Sequence, residues 1–368
     1  MKKVIYFISE DWAFLNHRIE IAKKIQKKGY KITLVTNVTH YKKLIEKKNI
    51  DVVHIKIERG SLNFRKSFRT IFKLIKIFKK VNPDIVHNFG LRQIVHGNIS
   101  AKIAGVKKTF NSIIGLGSVF ISGNLLLKFL IINLLRLTLI FKNSKVLVQN
   151  KDDYIFFRKK IWIKKSKLHF NTTSGIDLKK YNCLKEPKGK IIFLFASRIL
   201  KDKGILELID ASIKLRKISK KFELLIAGKI DTENPSSISY DKVKSWEALG
   251  FFKYLGHVDN MHELYKKTHV AILPSYREGL PKGLLEASAF GKPIITTDVT
   301  GCRDVVVNGK NGILVKPKNS DELFFAMKKM LENKKIRLAM GKEGRNLIKK
   351  NFHIDNTVND LNKLYKNF

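Results

Sequence analysis

Short apolar runs rich in β-branched and aromatic residues recur along this chain, and stretches of helical period separate them. VIYFI, KITLVT, DVVHI, DIVHN, KTFNSII and KVLVQN fill the first half; IIFLFAS, ELLIAG, VAILP, PIITTD and GILV fill the second. Unbroken runs of this kind suit strands buried on both faces of a parallel sheet, and parallel strands need helical crossovers between them. The pattern predicts an α/β chain with two successive parallel-sheet units. A length of 368 residues points the same way, because single cores rarely grow that large. The polar stretch LKEPKGK, residues 184–190, is the best linker and divides the chain into 1–183 and 184–350. Within 351–368 a last helix carries Val358, Leu361, Leu364 and Tyr365 on one face.

Two acids in the second half have a setting of their own. VAILP reads as a buried strand ending in a loop that holds Glu278. Pro281 sits where a helix's first turn would be, since its missing N–H costs nothing there. Leu284, Leu285 and Ala289 supply that helix's apolar face, and Gly291 and Pro293 end it. Glu278 is then at the helix mouth and Glu286 two turns in. Free backbone amides between two carboxylates suit a ligand with a diphosphate in the middle and hydroxyl-bearing rings at each end, the layout of a nucleotide sugar. A second cluster follows IIFLFAS, where Arg198, Lys203 and Gly204 precede the amphipathic stretch ILELIDASIKL. Two cations at a strand's C-terminal end can neutralise a diphosphate, in the crevice where open α/β sheets bind ligands.

The segment SYREGLPKGLLEASAFGKPIITTD resembles the signature of the family 4 retaining glycosyltransferases, in which seven residues separate two glutamates. The likeness covers nearly the whole chain, including NPDIVHNFG and GIDLKKY, and is strongest from Ile191 to Val315. It implies the GT-B fold: two facing Rossmann-like domains with parallel sheets, the first taking acceptors, the second holding the donor, and a C-terminal helix returning to the first. It also implies that Glu286 binds the ribose hydroxyls, that Glu278, Gly279 and Leu280 hold the transferred sugar, and that Arg198 and Lys203 take the diphosphate. Through NSIIGLGSVF, Asn111 to Phe120, the chain is most similar to bacterial enzymes that extend sugars on undecaprenyl diphosphate for surface polysaccharides such as O-antigen and capsule. The expected donor is a UDP-linked hexose or N-acetylhexosamine, and the expected acceptor a polyprenyl-diphosphate-linked saccharide. The implied chemistry is retaining, with the leaving diphosphate helping to deprotonate the incoming hydroxyl. Arg198 and Lys203 then offset charge as the glycosidic bond breaks, while Glu278 orients the ring. Neither a covalent nucleophile nor a metal cofactor is expected, and no two aspartates are separated by a single residue, so the DxD metal motif is absent.

One segment departs from that pattern. Many relatives carry a glycine-rich loop after the first strand, whereas this chain has SEDWAFLNHRIEIA. Asn16, His17 and Arg18 are expected to open the next helix, with His17 a candidate for acceptor contact or proton handling. His87, at the end of DIVH, is comparably placed.

Lysine and arginine number 73 against 31 acids, a formal net charge of +42, which attracts polyanions or an anionic membrane face. The lysines are scattered and no nucleic-acid motif is present, so nucleic acid is not an expected partner. In FRKSFRTIFKLIKIFKK, Phe68, Ile71, Phe72, Ile75 and Phe78 form a stripe amid Arg65, Arg69, Lys73, Lys76 and Lys80. Such a helix can pack as a crossover or lie in a membrane interface, where acidic lipids attract each cation by about 1 kcal/mol. The segment from Val119 to Phe141 is more apolar, but Asn124, Lys128, Arg136 and Lys142 fall within about one third of the helix circumference. That favours a buried or interface-lying helix over a span, where central charges cost roughly 2.5–3.5 kcal/mol each. Two distant cysteines, Cys183 and Cys302, fit a reducing cytosol, and MKKVIYFISEDW does not read as a signal peptide. The expected location is cytoplasmic, peripherally held on the inner face of the cell membrane. Two rival classes are a sugar-nucleotide 2-epimerase of the same fold, which needs no lipid acceptor, and a non-catalytic polyanion or membrane binder, which leaves the donor cluster unexplained.

Overall fold

The computed structural model describes residues 1–57, 64–116, 120, 124–170 and 174–367. The chain divides into unit 1, Met1–Gly175 with Ile354–Phe368, and unit 2, Ile176–His353.

Unit 1 is built on β1 (Lys2–Glu10), β2 (Tyr30–Asn37), β3 (Asp51–His54), β4 (Ile85–Phe89), β5 (Lys108–Ser112), β6 (Ser144–Val148) and β7 (Leu168–Phe170). They form one parallel sheet in the order β3-β2-β1-β4-β5-β6-β7. The winding reverses between β1 and β4, which opens a crevice at the C-terminal ends of those two strands. Alternation along β1 sends Tyr6 into one core with Phe14, Phe89 and Phe110, and Ile5 and Phe7 into the other with Leu74, Phe78 and Val86.

Helix Ile354–Lys366 lays Ile354, Val358, Leu361 and Tyr365 into the first of these cores. Burial of its three aliphatic side chains stabilises by about 1.5–3 kcal/mol each. Tyr365 also fixes His87: the phenol lies 2.5 Å from Nδ1, and Ser112 Oγ lies 2.7 Å from Nε2. Burial, followed by the Arg18 guanidinium, holds His87 well below the usual imidazole range. His87 is therefore a neutral core histidine under the last helix, not a group facing the crevice.

Unit 2 repeats the winding with β8 (Ile191–Ala196), β9 (Phe222–Ala227), β10 (Phe252–Gly256), β11 (Val270–Leu273), β12 (Ile294–Thr297) and β13 (Gly312–Val315). The order is β10-β9-β8-β11-β12-β13, all parallel, and the reversal lies between β8 and β11. The strands missed by sequence, β7 and β10, are the outermost of their sheets. An edge strand is paired on one side only and need not be a continuous apolar run.

The chain passes from unit 1 to unit 2 at 175/176, earlier than the expected 183/184. Ile176 is already buried in the second core, and its amide donates to the Phe352 carbonyl at 2.9 Å. LKEPKGK is pinned to unit 2. Arg337 donates Nη2 and Nε to Glu186 at 2.7 and 3.1 Å, Lys292 Nζ reaches the Lys185 carbonyl at 3.3 Å, and His269 Nε2 donates to the Pro187 carbonyl at 3.0 Å.

The basic helix Phe64–Val81 buries Leu74 and Phe78 but leaves Phe68 60% and Phe72 64% exposed, so the expected stripe is split between core and solvent. Helix Leu125–Leu139 starts at Asn124, whose side chain accepts from Leu127 N, and buries only Leu135, Thr138 and Leu139. Leu125, Leu126, Phe129 and Leu137 are exposed. Lys142 falls beyond this helix, and Arg136 gives Nη2 to the Lys160 carbonyl at 2.7 Å and lies 3.8 Å over the Trp162 ring. Both helices contact helix Leu91–Ile103. Residues 117–119 of NSIIGLGSVF, and 119 and 121–123 of the apolar segment, lie outside the described residues. Among the described residues no helix is long and apolar enough to cross a membrane.

Candidate active site

The loops leaving β8 and β11 flank the point where the winding of unit 2 reverses, and both bring charge to it. Lys203 closes the short turn Lys201–Lys203, and Gly204, at φ +69°, starts helix Ile205–Ile218. A Cβ at Gly204 would lie 2.0 Å from the Pro274 carbonyl oxygen, so the two loops touch backbone to backbone. That approach brings Lys203 Nζ to 2.5 Å from Glu278 Oε1, and Ser275 Oγ donates to the same oxygen at 2.6 Å. The two charged side chains are 14% and 13% exposed, so solvent and salt screen the pair only weakly.

Neighbouring contacts fix the rest of the loop. Tyr276 N donates to the Asp202 carbonyl at 2.9 Å, and its hydroxyl donates to Glu207 at 2.6 Å. Burial and the Glu207 carboxylate raise the Tyr276 pKa, which keeps that donor protonated. Glu278 N donates to the Thr300 carbonyl at 3.0 Å. A Cβ at Gly301 would lie 2.6 Å from the Glu278 carbonyl oxygen, so only glycine lets the Glu278–Leu280 backbone settle there. Gly279 is buried there, and Leu280 is buried in the core of unit 2.

Arg198 is paired elsewhere. Its Nη1 lies 2.7 Å from Asp231 Oδ2, and its side chain is 44% exposed, leaving other guanidinium N–H groups for a ligand. Asp231 is held in place because the loops after β8 and β9 are zipped together by Ile199 N to Lys229 O, Lys201 N to Ser236 O and Ile238 N to Ile199 O.

Glu286 lies on helix Lys282–Ala289. Pro281 is the residue before that helix, not in its first turn, and its carbonyl accepts from Leu284 N and Leu285 N at 3.1 and 3.2 Å. No described side chain caps this start. Glu286 Oε1 lies 3.1 Å from Lys282 Nζ and accepts from the Tyr181 hydroxyl at 2.9 Å. Cys302, behind the loop, is buried, and burial followed by the Glu278 carboxylate pushes its thiol up to about 12, too high for a nucleophile.

Residues 179–347 match the family described as glycosyl transferases group 1, and residues 3–150 match that described as glycosyl transferase 4-like. The chain belongs to these glycosyltransferases. The transferase is 28% identical, over 92% of each chain, to the N,N'-diacetylbacillosaminyl-diphospho-undecaprenol alpha-1,3-N-acetylgalactosaminyltransferase of Campylobacter jejuni. It is 24% identical to the UDP-Gal:alpha-D-GlcNAc-diphosphoundecaprenol alpha-1,3-galactosyltransferase of Escherichia coli, over 83% of this chain and 81% of that one. Among solved structures, the Anabaena protein HepE in complex with UDP and glucose superposes with a TM-score of 0.82 over 100% of both chains, at 17% identity. The sucrose-phosphate synthase of Thermosynechococcus elongatus gives 0.82 over 100% of this chain and 99% of its own, at 16% identity. The fold of the transferase is GT-B.

In unit 1 of the transferase a helix, Asp11–His17, follows β1 directly and replaces the glycine-rich loop of other relatives. Asp11 is buried and accepts from Thr39 N at 2.9 Å, Thr39 Oγ1 at 2.6 Å and Tyr41 N at 3.0 Å. Burial pushes its carboxyl up, but these bonds outweigh that and leave it lowered. Asn16 and His17 close this helix and Arg18 joins it to helix Ile19–Gln26, so they do not open a helix as expected. His17 is half-buried with its ring edge-on to Trp12, the centroids 6.4 Å apart. Arg18 is 6% exposed, donates to Ser174 Oγ at 2.8 Å, and is lowered by burial to about 10, still charged at neutral pH.

Sequence reasoning missed Ser275, Asp231, Tyr181 and Lys282. Lys282 could have been found, because it stands four residues before Glu286 on one helix face. Ser275 lies three residues before Glu278, but serines in loops are too common for that spacing to be diagnostic. Asp231 and Tyr181 reach their partners across 33 and 105 positions and leave no local signal.

Proposed function

We propose that this transferase moves a hexose or N-acetylhexosamine from a UDP-linked donor to a saccharide on a polyprenyl diphosphate, with retention and without a metal. The observation that carries this reading is the Lys203–Glu278–Ser275 contact at the reversal point of unit 2. It is a desolvated cation beside a fixed carboxylate in the crevice where such folds hold diphosphates. Glu286 receives the ribose hydroxyls, Arg198 and Lys203 the diphosphate, and Glu278 with Gly279 and Leu280 the sugar. As the anomeric C–O bond breaks, the electron pair goes to the leaving diphosphate. The acceptor oxygen bonds to the same face, and its proton passes to a diphosphate oxygen. Lys203 and Arg198 stand ready before that charge develops, which is how preorganised groups lower a barrier.

The acceptor and donor classes rest on what the relatives are named for. The Campylobacter jejuni and Escherichia coli enzymes are named for diphospho-undecaprenol substrates, and the latter for UDP-Gal. A peripheral seat on an anionic membrane fits the exposed Phe68 and Phe72 beside Arg65, Arg69, Lys73 and Lys76, and the exposed apolar side of Leu125–Leu139.

The test is a mass-spectrometric transfer assay with UDP- and GDP-sugars and a short polyprenyl-diphosphate saccharide, run with and without EDTA. A gain of one sugar with its α or β configuration retained, unaffected by EDTA and lost in Glu286→Ala, is the expected result. Transfer from GDP-sugars only, inversion, or loss with EDTA would each overturn the corresponding part. Interconversion of the free donor without transfer would instead indicate the epimerase.

A further inference from the structure

GIDLKKY ends at Tyr181, in a stretch that sequence reading gave to the first domain, yet the fold carries its hydroxyl to the donor side of unit 2. The Tyr181 hydroxyl donates to Glu286 Oε1 at 2.9 Å, and Lys282 Nζ lies 3.1 Å from the same oxygen. Both partners therefore engage one oxygen of the carboxylate, and Oε2 has no partner among the described residues. Tyr181 is itself immobilised. Its ring packs on Phe290 with centroids 5.1 Å apart, and its carbonyl accepts from Arg345 Nη1 at 2.6 Å.

We propose that Tyr181 is a positioning residue of the donor site, holding Glu286 by Oε1 so that Oε2 faces the ribose hydroxyl pair. This rests on the reading of Glu286 as the ribose ligand. A glutamate on a helix surface has three torsions to fix, and fixing them before the nucleotide arrives removes that ordering cost from binding. The two anchors are not equivalent. Lys282 supplies charge from a flexible stem, whereas the tyrosine supplies direction from a packed ring, and its phenol adds no charge to a site that must also accept a diphosphate.

The experiment is calorimetric titration with UDP, or with GDP if that is the one the wild-type protein binds, and with the 2′,3′-dideoxy form of the same nucleotide. The proteins are wild type, Glu286→Ala and Tyr181→Phe. Wild type should prefer the ribonucleotide by about 100-fold or more, as two hydrogen bonds to a charged acceptor imply. Glu286→Ala should bring that ratio close to one. Tyr181→Phe keeps the ring on Phe290 and should lower the ratio by at least about fivefold, with dideoxynucleotide affinity unchanged; that constancy also reports an intact fold. A ratio untouched by Tyr181→Phe but abolished by Glu286→Ala overturns the role of Tyr181. A ratio untouched by Glu286→Ala overturns the ribose assignment itself.

Discussion

Gly204→Ala would place a methyl group 2.0 Å from the Pro274 carbonyl oxygen on a backbone with φ +69°. Cβ atoms essentially never approach within 3.0 Å, so the loops after β8 and β11 must part by about 1 Å. Two costs add: about 1–2 kcal/mol for a left-handed alanine and about 1–3 kcal/mol for overpacking. Gly309→Ala isolates the first of them, because Gly309 has φ +76° and nothing within 4 Å of its virtual Cβ. The loss should be about 2–5 kcal/mol at Gly204 and about 1–2 kcal/mol at Gly309. Amide exchange in β8 and β11, read by mass spectrometry, reports unit 2 whatever unit 1 does. Turnover should separate the pair further. A shift of about 1 Å breaks the Lys203–Glu278 contact and should lower kcat/KM by about 100-fold, against less than about threefold for Gly309→Ala. Equal stabilities with normal turnover in Gly204→Ala would refute the backbone contact and the placement of Lys203 that depends on it.

Lys203→Met leaves the Glu278 carboxylate without its cation and removes positive charge from the diphosphate; kcat should fall by about 100- to 1,000-fold, and a change under about threefold in a steady-state assay would remove Lys203 from the reaction. Phe68→Ser with Phe72→Ser should weaken cosedimentation with phosphatidylglycerol vesicles by at least about tenfold while leaving stability within about 0.5 kcal/mol, since both rings are already exposed. Unchanged vesicle binding would count against this face. His96 is lowered to about 4, first by burial and then by Arg92. Its folded pKa lies below the unfolded value, so the unfolded chain binds more protons between those two pH values, and stability is lost as pH falls from about 6.5 toward 4. His96→Gln should abolish about 2 kcal/mol of that acid loss in unit 1, measured by amide exchange at pH 7 and 4.5, and an unchanged loss would place His96 in water.

Most of the sheet framework was legible, because a strand buried on both faces must be an apolar run wherever it lies in the chain. The edge strands β7 and β10 escaped because that constraint does not apply to them; FKYLG carries Lys253 in the open. At the candidate site, the charged residues of the loops could be named from local context, but their pairing could not. Arg198 and Lys203 sit five positions apart and read as one cationic pair, yet the fold gives one to Asp231 and the other to Glu278. His87 illustrates the same limit: a polar residue at a strand end looks available until the helix that covers it, 278 positions away at Tyr365, is in place.

That helix also sets a timetable for synthesis. Unit 2 lies between residue 175 and the segment that completes unit 1, so the ribosome delivers all of Ile176–His353 before Ile354–Lys366 emerges. At about 5–20 residues per second, the apolar surface around Tyr6, Tyr30 and Phe110 waits roughly 10–40 s for Tyr365, and unit 2 is made within that wait. At the end of that interval a newly made chain presents an unfinished first core while the second unit is already synthesised, and chaperones have their clearest target there.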